Sequence, residues 1–240
     1  MHAAPHSASN TYRSRRFRRF AAMVSDLLAR SGACRIIDIG GEPGYWRAYG
    51  SELLRDPRVT IAMVNYRVTD ADRAALAGPG EERMSLREGD ARDLRDVAAG
   101  AFDLAHSNSV IEHVGGWNDQ RAMAGEVLRV ARAHFVQTPF WGFPLDPHSR
   151  TPFLHWLPDQ LRYRLHRRRG FGFYPRGEDV HAAMGSTQDA RMLDRPQFAA
   201  LFPDSTIFTE SVAGLTKSLI AVGGEGHPRD PRSNARALKV

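Results

Sequence analysis

The chain has 240 residues, of which 42% are hydrophobic and 25% are charged, which suits a soluble protein with one full-sized α/β domain or with a small domain plus an insertion. No run of 18 apolar residues occurs and the N-terminus lacks a secretory signal pattern, so membrane insertion and secretion are not predicted. The single cysteine, Cys34, excludes a disulfide framework within the chain and fits a cytoplasmic protein, which is the location we expect.

The formal net charge is +6, and the excess is concentrated in three stretches of the chain. Two are arginine-rich runs at residues 13–20 and 162–169, and the third is the tail after Gly224. Such runs suit nucleic acid, anionic lipid or an acidic substrate, but a solvated helix face explains them equally well.

Strands and helices alternate over the first 140 residues. Strands are predicted at residues 34–40, 59–66, 84–90, 102–110 and 133–139, from short β-branched and apolar runs. Helices are predicted at residues 11–31, 43–54, 94–100 and 118–131, with a weak helix and a loop at 71–82. This alternation predicts βαβ units and a parallel sheet.

The alternation breaks after the fifth strand. An aromatic, Pro- and Arg-rich insertion is predicted at about residues 140–190, with one helix at 154–167. A helix at 192–203 and strands at 205–212 and 215–224, joined tightly enough to pair as a hairpin, follow it. We therefore predict one domain over residues 11–224 between disordered tails at 1–10 and 225–240.

Polar residues follow the predicted strands, and ligands of open α/β sheets bind outside the carboxyl ends of strands. The first strand leads into Asp38-Ile-Gly-Gly, the second ends at Asn65, the third at Gly89-Asp-Ala and the fourth at His106-Ser-Asn-Ser. The glycine turn is not a dinucleotide fingerprint, because Glu42 and Tyr45 replace two of its glycines. No Gly-Lys-Ser/Thr follows it either, so it is not a P-loop.

The charges of this edge indicate the kind of ligand. Three carboxylates, Asp38, Glu42 and Asp90, are predicted to converge there, and they would repel a pyrophosphate but attract a cation. The pattern favours a ligand with an adenosine part and a positive charge.

The four strand-end motifs, taken in chain order, resemble those of the class I S-adenosylmethionine-dependent methyltransferases. The resemblance covers roughly residues 30–140 and returns at 192–222. The sequence SVIEH at residues 109–113 is similar to the fourth-strand motif of the small-molecule, "methyltransferase type 11"-like branch of this family. The resemblance implies a Rossmann-like, doubly wound, mostly parallel seven-stranded sheet with an antiparallel C-terminal strand. It also implies S-adenosylmethionine as cofactor.

The resemblance also implies roles for residues. Asp38 would act on the amino group of the cofactor, directly or through water, and the backbone of the glycine turn would hold its methionine part. Asn65 stands where the family usually has an acid for the ribose hydroxyls, and Asp90 and Ala91 match the adenine motif. The expected cofactor-binding residues are Asp38, Gly40, Gly41, Glu42, Gly44, Asn65, Asp90, Ala91 and Asn108.

Methyl transfer needs a base only where the acceptor must lose a proton. His113, just past the fourth strand, and His148 in the insertion are the candidates, with Asp146 able to orient His148. Helix capping or backbone binding is the competing role for His113. An aromatic cluster after the fifth strand forms either a lid over an acceptor or the insertion's own small core. Its members are Phe140, Trp141, Phe143, Phe153 and Trp156.

The expected function is methyl transfer to a small-molecule or sugar-containing acceptor, most readily on oxygen. A nucleic-acid-binding protein such as an RNA methyltransferase is the less favoured alternative, and a catalytically inactive scaffold is another, suggested by Glu42 and Asn65. No His, Cys and carboxylate cluster has metal-ligand spacing, so no metal is predicted. The sequence leaves the oligomeric state open.

Overall fold

The computed structural model describes residues 8–76 and 81–227. In chain order the elements are α1 (Ala8–Ser31), β1 (Cys34–Ile39), α2 (Pro43–Tyr49), α3 (Ser51–Arg55), β2 (Val59–Asn65), α4 (Asp70–Ala74), β3 (Met84–Glu88), β4 (Phe102–Asn108), α5 (Trp117–Val130), β5 (Ala131–Pro139), α6 (Asp159–Arg168), α7 (Val180–Gln188), α8 (Arg195–Leu201), β6 (Thr206–Val212) and β7 (Leu215–Gly224).

The seven strands form one sheet in the order β3-β2-β1-β4-β5-β7-β6. Strand β1 runs parallel to both β2 and β4, and Ile36 lies beside Ile61 on one side and Leu104 on the other. The strand order reverses between β1 and β4, which is the point where ligands of such sheets bind. The prediction of a doubly wound, mostly parallel sheet with an antiparallel C-terminal end is confirmed.

The chain divides into two compact units. The first contains the described residues up to Asn108, with Gly125–Val136 and a short stretch from Val222. The second contains Ser109–Ala124 and Gln137–Ala221. The single domain over residues 11–224 therefore stays a prediction.

In the first unit, α1 buries one apolar stripe at helical spacing, as the sequence predicts. The buried residues of this stripe are Phe17, Phe20, Met23, Val24, Leu27 and Leu28. Strand β1 is buried at every position except Arg35, which is the pattern of a central parallel strand.

The predicted helix at 94–100 is wrong, because this stretch consists of turns. Side chains of α5 bind the backbone groups that a helix would use. Glu126 accepts from the Leu94 N–H (2.6 Å), and the Arg129 guanidinium donates to the carbonyls of Leu94 (2.7 Å) and Val97 (2.6 Å). These tertiary hydrogen bonds replace the helical ones and override the local preference.

In the second unit, the helix predicted at 154–167 is divided. A single 3₁₀ turn, Leu154–Trp156, is followed by extended Leu157 and by Pro158, and α6 begins after them. The residue before a proline avoids the helical region, which explains the break. Helix α7, which was not predicted, begins after Asp179, whose side chain accepts from the Ala182 N–H.

The terminal predictions fall largely outside the described ranges. Residues 1–7 and 228–240 are not described, so the predicted tails cannot be compared there, whereas Ala8–Asn10 already belong to α1. None of the helices within residues 8–76 and 81–227 is long and apolar enough to cross a membrane.

Candidate functional site

The turn after β1 needs two glycines for two different reasons. Gly40 has a φ of +77°, a left-handed conformation that favours glycine, and its N–H donates to the Val64 carbonyl (2.8 Å). At Gly41 a Cβ atom would lie 2.1 Å from Oδ2 of Asp38, so the close approach of this carboxylate excludes any side chain there.

Asp38 is held on both sides by side chains of the first unit. It is only 2% exposed; its Oδ2 accepts from Nε1 of Trp46 (2.7 Å), and its Oδ1 lies 2.7 Å from Nδ1 of His106. An ionised carboxylate only accepts hydrogen bonds, so Nδ1 of His106 carries the proton in this pair. Asp38 therefore fastens β1 to β4 and to α2.

An aromatic cluster surrounds this pair. The His106 ring lies 4.7 Å from the Phe20 ring, 5.5 Å from Tyr45 and 6.0 Å from Phe135, between centroids. Burial raises the pKa of Tyr45, and the negative charge of Asp38 adds to the effect. The rings keep water away from the carboxylate, which strengthens its two hydrogen bonds. Trp46 is therefore a core residue.

Asn65 and Glu42 take different positions around the turn. The Asn65 amide donates to the Gly41 carbonyl (2.8 Å), so it fixes the turn and keeps an amide oxygen as an acceptor. Glu42 is the residue before the first turn of α2, and its side chain is exposed. Gly44 lies partly buried in that first turn.

Asp90 is engaged by a neighbour in the chain. The Arg92 guanidinium donates to both of its carboxylate oxygens, at 2.9 Å to Oδ1 and 2.6 Å to Oδ2. The hydrogen bond from Arg92 lowers the pKa of Asp90, which keeps it ionised at neutral pH. Ala91, between them, is partly exposed.

Asn108, at the end of β4, accepts a hydrogen bond from the guanidinium of Arg16. Arg16 is buried although it belongs to the basic run at 13–20, and Phe17 and Phe20 of the same run are core residues. Part of this basic run therefore packs in the core as one face of helix α1. The helical spacing of its aromatic residues in the sequence indicates the same.

In the second unit, Glu112 is fully buried at 0% exposure, in a short 3₁₀ turn after β4. Its Oε2 accepts from the Thr138 hydroxyl (3.0 Å), and its backbone carbonyl accepts from the Arg191 N–H. Burial raises the pKa of Glu112, and the nearby His113 opposes that rise without cancelling it. Glu112 was not among the residues whose role was predicted from the sequence.

His113 is paired with Asp189, a residue that the sequence analysis did not single out. Its Nδ1 lies 3.2 Å from Oδ2 of Asp189, and its side chain is 34% exposed. Burial lowers the pKa of His113, but the hydrogen bond that the imidazole donates to Asp189 and the charge of Glu112 outweigh it, so the pKa is raised. Tyr174 donates to the same carboxylate (3.1 Å).

His148 forms the second imidazole–carboxylate pair of this unit. Its Nδ1 lies 3.1 Å from Oδ1 of Asp146, as the sequence suggested, and its backbone N–H donates to the same oxygen. Burial raises the pKa of Asp146, but the hydrogen bonds from His148 win and lower it. The two imidazole rings lie 4.7 Å apart and perpendicular, so the fold brings His113 and His148 together.

The aromatic side chains of the insertion pack partly on one another. The Trp156 ring lies 5.1 Å from Phe153 and 6.1 Å from Trp141, and its Nε1 donates to the Trp141 carbonyl. All three remain between 40% and 54% exposed. The choice between a lid and a small core of the insertion stays open.

Comparisons with known proteins agree with this architecture. Residues 37–134 match the profile of a family described as "Methyltransferase domain". The N-terminal domain of EvdMO1 with bound SAH is similar in fold, with a TM-score of 0.54 and 19% identity over 88% of this chain and 80% of that one. An O-methyltransferase family protein from Burkholderia thailandensis has a TM-score of 0.52 and 21% identity over 92% of this chain and 60% of that one.

No curated protein sequence matches the chain significantly. The family match runs from the second half of β1 to the middle of β5, and this segment carries the glycine turn and the other strand-end motifs. The sheet order, the strand-end motifs and the family match agree with one another, and residues 37–134 of the chain are similar to the methyltransferase domain family.

Proposed function

We propose that the chain methylates an oxygen of a hydroxyl-bearing acceptor that is either a small molecule or a sugar-containing compound. The observation that carries this proposal is the pair of imidazole–carboxylate contacts, His113 with Asp189 and His148 with Asp146. A hydroxyl must lose its proton on methylation, and a histidine oriented by a carboxylate is suited to remove it.

Two structural relatives support the acceptor class. One is described as an O-methyltransferase family protein, and the EvdMO1 N-terminal domain was also crystallised in the presence of SAH and D-fucose, with a TM-score of 0.55 and 20% identity to this chain. At such identities the likeness itself shows only the fold, so the acceptor remains our proposal.

We propose that the strand ends of the first unit hold the cofactor. The backbone of Gly40–Gly44 and the acceptors of Asn65, Asp90, Ala91 and Asn108 suit a nucleoside with an amino acid part. Asp38 contributes indirectly, because it is only 2% exposed and its two oxygens are bound by Trp46 and His106 within the core. When bound, S-adenosylmethionine supplies an electrophilic methyl group.

The histidines act on the proton of the acceptor. Because Nδ1 of His113 faces Asp189, its Nε2 is the nitrogen free of that pairing and able to take the hydroxyl proton. His148 is arranged in the same way through Asp146. The raised pKa of His113 makes it a stronger base but leaves a smaller neutral fraction at pH 7.

Calorimetric titration with S-adenosylhomocysteine tests the cofactor part. We expect saturable binding, weakened about tenfold or more in Asp90→Ala, since charged hydrogen bonds contribute about 1.5–3 kcal/mol. Asp96→Ala is the matched control, because Asp96 also pairs with an arginine, Arg87, but on the exposed surface. Absence of saturable binding contradicts the proposal.

A panel of acceptors, followed by release of S-adenosylhomocysteine, tests the chemistry. Monosaccharides, nucleotide sugars and phenols should be methylated in preference to the matched amines. His113→Ala and His148→Ala should lower kcat about 100-fold, the usual contribution of a general base, with unchanged binding of S-adenosylhomocysteine. Turnover of amines alone contradicts the proposal.

The two alternatives have their own outcomes. Arg16, Phe17 and Phe20 of the basic run are buried, which disfavours that run as a continuous RNA surface. Binding of RNA that falls steeply with salt would nevertheless support an RNA substrate. Cofactor binding without turnover of any acceptor would support an inactive scaffold. A cytoplasmic location stays a prediction.

A further inference from the structure

We propose that Glu112, His113 and His148 form a binding site for a divalent transition-metal ion of the Zn²⁺ class. One ligand-capable atom from each of the three side chains lies within 4.8 Å of the others. The three come from two segments of the second unit, the turn after β4 and the insertion, so their spacing in the sequence did not indicate a metal site.

The observation that favours a cation most strongly is the hydrogen bonding of Glu112. Its Oε2 is bound by Thr138, but its Oε1 is buried and has no hydrogen-bond partner among the residues that the structure describes. A buried carboxylate oxygen without a partner is costly, and it is found where an ion or a proton completes the site. The two neighbouring imidazoles indicate which of these is expected.

The histidines have the arrangement of metal ligands. Each directs Nδ1 at a carboxylate, His113 at Asp189 and His148 at Asp146. In protein metal sites the ligating histidine usually donates its other ring N–H to a carboxylate, which fixes the tautomer and makes the ring a better ligand. In both residues Nε2 is then the nitrogen with a lone pair for an ion.

The donor set selects the class of ion. Two imidazole nitrogens and one carboxylate oxygen suit Zn²⁺, Fe²⁺ or Co²⁺, whereas Mg²⁺ and Ca²⁺ prefer oxygen ligands throughout. Three protein ligands leave a coordination position open, as in catalytic rather than structural zinc sites. The partial exposure of His113 gives the ion a route from solvent.

This inference stands apart from the proposed function, because ion binding is measurable without turnover. Where the two combine, the ion takes over the role of the bases. A hydroxyl or water that binds to the open position of a divalent cation loses its proton more easily. The competing explanation is a proton held by Glu112 between two histidines, with no ion involved.

The test is titration of untagged protein with Zn²⁺ after treatment with a chelator, followed by calorimetry and by the visible absorption of added Co²⁺. We expect one ion per chain, a Co²⁺ spectrum that indicates nitrogen ligation, and no competition from millimolar Mg²⁺. His113→Ala, His148→Ala and Glu112→Gln should each weaken binding by about 100-fold or more, and Asp189→Asn by about 10- to 100-fold.

His181→Ala is the matched control, since His181 is an exposed histidine of α7 in the same unit and lies outside the cluster. It should bind as the parent does. Circular dichroism establishes that each variant is folded, and Glu112→Gln, which keeps the shape of the side chain, preserves the test if an alanine variant unfolds. Absent binding, or equal binding by the parent and all cluster variants, overturns the proposal.

Discussion

Two buried carboxylates of this chain are treated in opposite ways. Asp38 has a hydrogen-bond partner on each oxygen, the Trp46 indole and the His106 imidazole, inside a shell of aromatic rings. Glu112 is buried more completely, yet only its Oε2 is bound, by Thr138, while Oε1 has no partner within the described ranges.

The difference separates a structural carboxylate from a functional one. Burying a charge is costly unless its hydrogen bonds are complete, so a satisfied group such as Asp38 stabilises the fold. A group left incomplete, such as Glu112, reduces stability and is retained where a ligand finishes it. Both residues lie close to the carboxyl end of a strand, so their position does not distinguish them, but the number of hydrogen-bonded oxygens does.

Removal of the satisfied carboxylate is expected to have the largest effect. Asp38→Ala leaves the Trp46 and His106 donors buried and unpaired, at about 1–3 kcal/mol each, so we expect a loss of about 2–6 kcal/mol in the free energy of unfolding. Urea denaturation measures it. Asp38→Asn, which keeps the shape and part of the bonding, should lose less. A loss below about 1 kcal/mol for the alanine variant would remove the structural role.

A buried histidine sharpens the comparison, because burial rather than a carboxylate governs it. Burial, with the charge of His227, lowers the pKa of His134 from 6.5 to about 4. The unfolded chain then binds a proton that the native one does not, so stability is lost as pH falls from about 6.5 to about 4. The loss is at most about 3 kcal/mol.

Denaturation curves at several pH values measure this loss. His134→Gln should flatten the dependence in that window, whereas His181→Gln, at an exposed position, should leave it unchanged. Parallel curves for the parent and His134→Gln would mean that other groups cause the dependence.

Substitution of the unsatisfied carboxylate should change stability little. In ion-free protein, Glu112→Gln removes a buried charge while keeping the shape, so we expect a change within about 1 kcal/mol near neutral pH. The raised pKa of Glu112 also fixes the direction of the pH dependence of stability. The native parent binds a proton more tightly than the unfolded chain, so the parent loses stability as pH rises from about 4.5.

Denaturation at pH 5 and pH 7.5 therefore distinguishes the two forms. Relative to the parent, Glu112→Gln should be more stable at the higher pH. If Glu112→Gln lost as much free energy of unfolding as Asp38→Ala, the distinction between the two carboxylates would be wrong, because Glu112 would then be a structural group like Asp38.

The smallest effect is expected at the exposed carboxylate, Glu42. Glu42→Gln should change the free energy of unfolding by less than about 0.5 kcal/mol, as for most surface substitutions. If Glu42 acts on the ligand's charge, affinity for S-adenosylmethionine should drop by about 2- to 5-fold, the scale of an exposed ion pair. S-adenosylhomocysteine, which lacks the sulfonium charge, should bind equally well, and an equal loss for both ligands would contradict an electrostatic role.

The sequence was informative where interactions are local. The strand β1 and the glycine turn are contiguous, and each residue has a preference that its neighbours reinforce, so Gly40 and Gly41 could be placed at a strand end directly. The mostly parallel seven-stranded sheet with an antiparallel C-terminal strand could be predicted from the alternation of helices and strands and from the family resemblance.

The sequence was less informative where distant residues complete an interaction. The stretch 94–100 resembles a helix, but Glu126 and Arg129 take its backbone hydrogen bonds. Asp189 lies beside His113 only because of the way the insertion folds. Arg16 belongs to a basic run in the sequence, but in the structure its guanidinium binds Asn108. Partners of this kind leave no local pattern to detect.

Because Gly41 lies against the Asp38 side chain, the substitutions that position 41 accepts depend on the residue at position 38. Since a Cβ at position 41 would lie 2.1 Å from Oδ2 of Asp38, a side chain at position 41 requires an earlier change at position 38. An alanine at 41 becomes acceptable only in a lineage where position 38 has already become smaller, and that change leaves Trp46 and His106 in need of a new partner. Among diverged relatives these four positions should therefore change together, as one inherited block.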